Sequence, residues 1–387
     1  MPGAPAGDRT DSHHAPKQQF AELVDSHLSC GFFTHLYAET GRLASPTPSF
    51  TCEHLPDGRD IFDLSSLTKA LATTPLVFKL AAQFRLNIGA GVESYAGGSK
   101  EGPLATIGDV LDCAPDVRGL RNALVPAVRQ ITLESLLTHS SGLPAWRCLF
   151  AQCNGRQRNW VEMLNDAAKN PPNVGRSVYS DVGFILLGAM IEALGAAPID
   201  VQFDSLCFDY LQFDQRPHPL QYTPVDNLRI RCVSAGTCKL RGRELIGEVH
   251  DENCWALGGV TGHAGMFGTG PALGLFLKAL ARTPVGRSVL SANRARLRSG
   301  LNEALLGWRQ GADSSSETFG PGPEDLENFG KAMGHMGFTG TAFWVNPSDE
   351  TYAVLLTNRV ISGRVSPLTR PFRRRAFELL WQLAHPS

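Results

Sequence analysis

No stretch of this 387-residue chain approaches the ~20 uninterrupted apolar residues that a membrane-spanning helix requires. The best candidate, Gly183 to Ala197, is broken by Glu192. A surplus of positive charge is missing as well: 36 Lys and Arg stand against 37 Asp and Glu, for a formal net charge of −1. Nucleic acid and anionic membrane surfaces both call for a basic footprint, so neither is an expected partner. The nine cysteines show no CxxC, CxH or HExxH spacing. They read as buried or inert thiols of a reducing compartment rather than as metal ligands. The polar N-terminus has no apolar segment of the secretory kind, which makes the cytoplasm the expected location. Internal repeats are absent.

What is present is an ordinary globular composition, 43% hydrophobic and 19% charged. The 39 glycines and 25 prolines imply many loops and tight turns. Residues 1–16 read as a flexible leader. Phe20, Leu23, Val24 and Leu28 then recur at helical spacing. Gly31–Ala38 and Ser49–Glu53 read as strands joined through Gly41 and the Ser45-Pro-Thr-Pro stretch. A long apolar helix follows from Ser65, with Asp63 or Ser65 as its cap. Further helices are expected at Ile107–Leu111, Leu133–Leu137, Trp160–Ala168, Val182–Leu194 and Pro271–Ala281. Near the end, Ala342–Val345 and Tyr352–Thr357 flank the turn Asn346-Pro-Ser-Asp as a hairpin, and a last helix runs from Pro371 to Ala384. Strands at both ends around a helical middle imply an α+β fold. Residues 17–62 and 245–387 would build the sheet, and 63–244 a mainly helical region, together making one unit.

Three short motifs carry chemistry. Ser66-Leu-Thr-Lys69 opens the strong helix, and residues at i and i+3 share a face, so the Lys69 amine can approach the Ser66 hydroxyl. The free N–H groups and positive end of a helix N-terminus suit a developing oxyanion. That environment together with burial would lower the lysine's pKa towards the range of a base. Tyr179-Ser-Asp181 stands directly before the apolar helix Val182–Leu194, where a tyrosine can carry a proton. The plainer alternative is a capping turn. His335-Met-Gly337 precedes a strand, where glycine lets a substrate backbone lie along the edge. The plainer alternative there is a loop histidine beside a turn glycine.

Taken in order, S-x-x-K, Y-x-D and H-x-G resemble the serine β-lactamase and penicillin-binding-protein superfamily, particularly its class C-like esterases and D,D-peptidases. The surrounding segments add to the likeness: Phe62-Asp-Leu-Ser-Ser-Leu-Thr-Lys69 with Ala72-Thr-Thr74, Leu136-Leu-Thr-His-Ser-Ser-Gly-Leu-Pro144 and Tyr179-Ser-Asp-Val-Gly-Phe-Ile-Leu-Leu-Gly188. His250-Asp-Glu-Asn253, Gly262-His-Ala-Gly265 and Gly334-His-Met-Gly-Phe-Thr-Gly-Thr341 extend it to roughly residues 30–375. The resemblance implies a β-lactamase/transpeptidase-like fold with the site in the groove between sheet and helical region. Ser66 would be the acyl-accepting nucleophile. Lys69 would be the base or keep nearby protons mobile, and Tyr179 would shuttle a proton to the leaving group. The backbone N–H groups of Ser66 and Phe338 would form the oxyanion hole, with Gly337 and His335 lining the pocket. No metal or organic cofactor is implied.

Two departures bear on substrate. Asp181 stands where the middle motif has asparagine, and His335 where K-T-G has lysine, so a permanent cation for a substrate carboxylate is missing. Both favour a neutral acyl substrate such as an ester, and efficient β-lactamase activity is not expected. The first reading is therefore a carboxylesterase or amide/peptide hydrolase acting on a small acyl substrate. Alternatives are a D,D-carboxypeptidase or β-lactamase-type activity, and a non-catalytic binding protein that kept the fold. His139 is expected to hold its loop rather than catalyse, and His263 to be structural. Trp146, Trp255 and Trp308 read as core, with the lining of an acyl pocket as the alternative.

Overall fold

The computed structural model describes residues 11–89, 103–114, 124–151, 177–211, 220–224, 226–298, 305–311 and 331–385. Helix α1 (Asp11–Ser29) leads into strands β1 (Leu36–Arg42), β2 (Phe50–His54) and β3 (Phe62–Asp63). A π-helical turn (Lys69–Thr73) continues as α2 (Thr74–Gln83). Then come α3 (Ile107–Cys113), α4 (Pro126–Arg129), α5 (Leu133–Leu137), α6 (Asp181–Gly195), α7 (Ile199–Leu211), β4 (Leu220–Tyr222) and α8 (Asp226–Arg229). Strands β5 (Thr237–Cys238) and β6 (Arg243–Glu244), helix α9 (Glu252–Ala256) and β7 (Met266–Gly268) precede α10 (Gly270–Arg282) and α11 (Pro284–Arg298). The chain closes with β8 (Arg309–Gln310), β9 (Met333–Met336), β10 (Ala342–Asn346), β11 (Thr351–Thr357) and α12 (Thr369–Ala384).

One antiparallel sheet, in the order β2-β1-β11-β10-β9-β8, draws its strands from both ends of the chain. Its period-2 side chains divide between two cores. Tyr352, Val354 and Leu356 of β11 and Phe343 and Val345 of β10 enter the larger core, with α2, α6 and α10 residues. Ala353, Leu355, Ala342 and Trp344 face the opposite core, which is closed by Phe20 and Val24 of α1 and Phe372, Phe377 and Trp381 of α12. A one-residue slip would exchange these sets, so burial on both faces fixes the register.

Helix α6 is buried at every position from Val182 to Leu194, the pattern of a helix that runs through a core. Ser180 caps it by accepting from the Gly183 N–H at 3.0 Å. Helix α1 begins at Asp11, nine residues before the apolar repeat that opens at Phe20, because its first turns are polar and leave no periodic signal. The helix expected at Trp160–Ala168 lies outside the described residues.

A second, three-stranded sheet, β3-β7-β4, sets the site. Phe62 pairs with Gly268 and Asp63 with Phe267, and the Leu64 N–H donates to Met266 O at 2.9 Å. The chain therefore enters the Ser66 turn from a strand anchored to residues 266–268. Strand β4, within the mainly helical span, pairs with β7 as well. Gly262 permits the same region to meet α6, since a Cβ there would lie 2.1 Å from Phe184 O.

Candidate active site

Ser66 follows β3 through a sharp turn. Ser65 adopts φ +51°, a left-handed conformation uncommon for a residue with a Cβ. Its N–H donates to Asp63 Oδ1 at 2.8 Å, and its carbonyl accepts from Thr68 Oγ1 at 2.7 Å. The first turns of the helix are wide: the Thr74 N–H reaches back to Lys69 O, five residues earlier, and Thr74 Oγ1 bonds the same carbonyl at 2.8 Å.

Lys69 is fully buried at the centre of this arrangement. Its Nζ donates to Ser66 Oγ at 3.0 Å and to the His263 carbonyl at 3.2 Å, and lies 2.8 Å from Asp181 Oδ1. The Tyr179 hydroxyl hydrogen-bonds the same ammonium, which sits 4.9 Å from the tyrosine ring centroid. Burial works to lower the Lys69 pKa, but the Asp181 carboxylate and the Tyr179 oxygen outweigh it, so the net shift is upward. This corrects the expectation of a depressed lysine: Lys69 is an ammonium at neutral pH.

Asp181 is accordingly not a bare substitute for a substrate-facing amide, because its carboxylate is committed to Lys69. Its backbone is fixed too, with the N–H donating to Ala145 O at 2.8 Å. Tyr179 is held from the side by His139, whose ring centroid is 4.6 Å away. The Ser180 N–H donates to His139 Nδ1 at 3.0 Å and the Val178 N–H to His139 O at 2.9 Å, so His139 anchors both flanks of the tyrosine. Burial, then the charges of Lys69 and Arg309, push the His139 pKa well below its usual value, and the ring is neutral.

His335 lies inside β9 rather than ahead of the strand, paired across from Phe343. Its Nδ1 is 2.9 Å from the Met336 carbonyl, which can only accept, so Nδ1 carries the proton. Nε2 is buried and has no hydrogen-bond partner among the described residues. Burial, followed by the charges of Lys69 and Arg309, holds this imidazole well below the ordinary histidine range. It is therefore a neutral acceptor, 6.0 Å from the Tyr179 ring. Gly337 is required by close approach: a Cβ there would lie 2.1 Å from Thr341 Oγ1 and 2.8 Å from Leu64 O. Beyond it the Phe338 N–H donates to Ser65 Oγ at 3.2 Å, next to Ser66.

The structure thus gathers Ser66, Lys69, Tyr179 and Asp181 directly, and brings His335, Gly337 and Phe338 to the same place along β9. Sequence reasoning missed several neighbours. Arg309 of β8 pairs opposite Gly334, and its guanidinium lies 5.3 Å from the Tyr179 ring centroid. The absence of a permanent cation inferred from the H-x-G motif is therefore corrected: a cation stands on the adjacent strand. Only strand pairing could reveal it.

His263 contributes its carbonyl to Lys69, while its ring bonds Asp251 at 2.9 Å. Asp251 is held far below the carboxylate range by His263 and the Cys254 N–H, against the opposing effect of burial. Trp308 is core, edge-on to Phe343. Trp146 and Trp255, expected in the core, are 43% and 40% exposed. Trp255 lies on a one-turn helix and faces Arg241, 5.0 Å away.

The β-lactamase family profile matches residues 52–376. An N-acetylmuramyl-L-alanine amidase of Bacillus subtilis (strain 168) is 27% identical over 335 residues, covering 81% of this chain and 71% of the relative. Two solved structures share the fold. A class C β-lactamase from Rhodobacter sphaeroides has a TM-score of 0.63 at 15% identity, covering 94% of this chain and 98% of its own. D-alanine carboxypeptidase AmpC from Burkholderia cenocepacia has 0.62 at 14% identity, covering 95% and 99%. The chain belongs to the β-lactamase family and is a serine hydrolase.

Proposed function

We propose that the protein hydrolyses an amide or ester of a small acyl substrate through a covalent acyl-enzyme on Ser66. The observation that carries this reading is the 3.0 Å approach of the fully buried Lys69 Nζ to the half-buried Ser66 Oγ, with Asp181 holding the ammonium at 2.8 Å. The Ser66 oxygen attacks the acyl carbon, and its proton passes to the Tyr179 oxygen as the tyrosine's own hydroxyl proton moves on towards the leaving group, with the Lys69 ammonium stabilising the negative charge in transit between these oxygens. The carbonyl oxygen turns towards the Phe338 N–H as it becomes an oxyanion. The proton from the tyrosine completes the leaving amine or alcohol as the acyl-enzyme forms. In the second half the relay runs back. Water attacks the acyl carbon and its proton passes to the Tyr179 oxygen, while the tyrosine's hydroxyl proton goes to Ser66 Oγ as the ester bond breaks and the acid product leaves. The neutral His335 acceptor supports a substrate that offers an N–H or O–H at that point.

The test is the intact mass of protein briefly exposed to p-nitrophenyl acetate and, separately, to a penicillin, with Ser66→Ala alongside. An acetyl adduct or burst that the variant lacks is expected. No adduct with either reagent would leave the non-catalytic binding reading.

A second reading, cleavage of a peptide with a free C-terminal carboxylate, is favoured by Arg309 beside Tyr179 and His335. Guanidinium binds carboxylate well. The relative named an amidase and the solved carboxypeptidase keep an amide-bond substrate in view. On this reading Arg309→Gln raises KM for a peptide ending in D-Ala-D-Ala but leaves KM for its C-terminal amide unchanged.

A further inference from the structure

A peptide group has two ends that respond to each other. A cation on its carbonyl oxygen draws electron density away from the N–H and makes that N–H a stronger donor. The peptide that matters here joins Gly337 to Phe338. Its N–H points at Ser65 Oγ, 3.2 Å away and next to Ser66. Its carbonyl end meets Arg373 of α12. Arg373 Nη2 donates to Gly337 O at 2.6 Å and to Thr341 O at 3.4 Å, and Nη1 lies 3.9 Å from Met336 Sδ.

Arg373 is only 3% exposed. A guanidinium so deeply buried gives up most of its hydration, and an apolar side chain of similar size would fill the space without that loss. The field of a buried cation is weakly screened, so its effect on an adjacent dipole is larger than at a surface. Burial, with Arg359 nearby, brings the Arg373 pKa down to about 9, which leaves the group charged at neutral pH. Arg359 secures the following carbonyl by donating to Phe338 O, and its guanidinium lies 4.8 Å from the Phe338 ring centroid. The Gly337 N–H closes the turn onto Thr341 O at 2.7 Å. The peptide is thus held at both ends, with a formal charge at its oxygen.

We propose that Arg373 is a positioning residue which polarises the Gly337–Phe338 peptide and so strengthens the Phe338 N–H as the donor to the reaction's oxyanion. The proposal rests on the acyl-enzyme reading above. A residue that only stapled the β9–β10 turn would need its hydrogen bonds but not its charge, and that difference can be measured.

The experiment compares wild type with Arg373→Lys, which keeps the charge, and Arg373→Gln, which keeps a donor for the Gly337 carbonyl without it. Two readouts are used. One is inhibition by phenylboronic acid, whose tetrahedral serine adduct places an oxygen in the oxyanion site. The other is the carbonyl stretch of the acyl-enzyme formed from carbon-13-labelled p-nitrophenyl acetate in rapid-mixing infrared. Only folded, acylated molecules contribute to the second signal, so partial misfolding of a variant does not mimic the effect.

Arg373→Gln is expected to weaken boronate binding and lower kcat by about tenfold, a fraction of the 10²–10³ lost with a whole oxyanion donor. KM for the ester should stay within about twofold, since the loss is confined to the transition state. Its acyl carbonyl should absorb at higher frequency, and Arg373→Lys should remain near wild type on both readouts. Equal values for the Gln and Lys variants, with an unshifted carbonyl band, would overturn the polarising role while leaving the hydrolase intact. A wild-type protein that forms neither adduct would overturn the acyl-enzyme reading and this proposal with it.

Discussion

Lys69 and Asp181 form an ion pair, Nζ to Oδ1 2.8 Å, and the lysine side chain has no exposed surface. The pair sets the chemistry of the site, because the carboxylate reverses the sign of the shift that burial alone would impose. A lysine raised above its ordinary 10.5 holds its proton throughout the neutral range, and the stabilisation from the pair is lost only as pH climbs past that value.

Asp181→Asn removes the opposing charge, so burial gains influence and the Lys69 pKa falls. The alkaline limb of kcat/KM, set by loss of the Lys69 proton, is expected to move to lower pH. A pH–rate profile with p-nitrophenyl acetate checks this. An unmoved limb would mean that the ammonium is not required.

Ser65→Gly should speed acylation several-fold. The hydroxyl now accepts the Phe338 N–H that the oxyanion needs, and an internal hydrogen bond of this kind contributes about 1 kcal/mol. Glycine also takes φ +51° without the roughly 1–2 kcal/mol of strain that a Cβ brings. Burst kinetics decide the matter. A slower burst would instead make the Ser65 hydroxyl a contributor to the oxyanion site.

Gly337→Ala is expected to destabilise the fold by about 1–3 kcal/mol, the usual cost of forcing atoms into a packed site. The added methyl would meet Leu64 O, which is backbone and cannot step aside. The end of β9 must shift, taking Phe338 with it, so activity should fall further than stability. Melting temperature and kcat measured together test this, and parallel small losses would show that the strand adapts.

Asp63 gives the clearest pH dependence of stability. Burial pushes its carboxyl up to about 6, against the lowering effect of the His250 and Ser65 N–H groups. Between its ordinary 3.8 and about 6 the folded state binds more protons than the unfolded one, so this group's contribution declines as pH rises through that window. The span corresponds to on the order of 3 kcal/mol. Unfolding free energies of wild type and Asp63→Asn should therefore diverge in the variant's favour from pH 4 to pH 7. A difference that is flat with pH would contradict it.

The motifs were readable because their signals are short-range. The i, i+3 spacing of Ser66 and Lys69 already places both on one helical face, and the Ser180 cap explains why Tyr179 sits in a loop entering α6. The hairpin of β10 and β11 follows from alternation on either side of Asn346-Pro-Ser-Asp. Helix α1 was read short for the converse reason, since its polar first turns carry no periodicity.

The sequence by itself determined the α+β layout, the sheet shared between the two ends, and the identity and order of Ser66, Lys69, Tyr179 and His335. The layout follows from local pattern, and the site residues from the resemblance that the three motifs, taken in order, bear to a known family. Only the tertiary structure decided the charge state of the site. A pKa is a small difference between burial and through-space charge, and the charges around Lys69 and His335 come from Asp181 and from Arg309 on a neighbouring strand. Arg373 reaches Gly337 from the last helix in the same way. No spacing along the chain records which distant side chains the packing of the sheet will bring within 3 Å of one another.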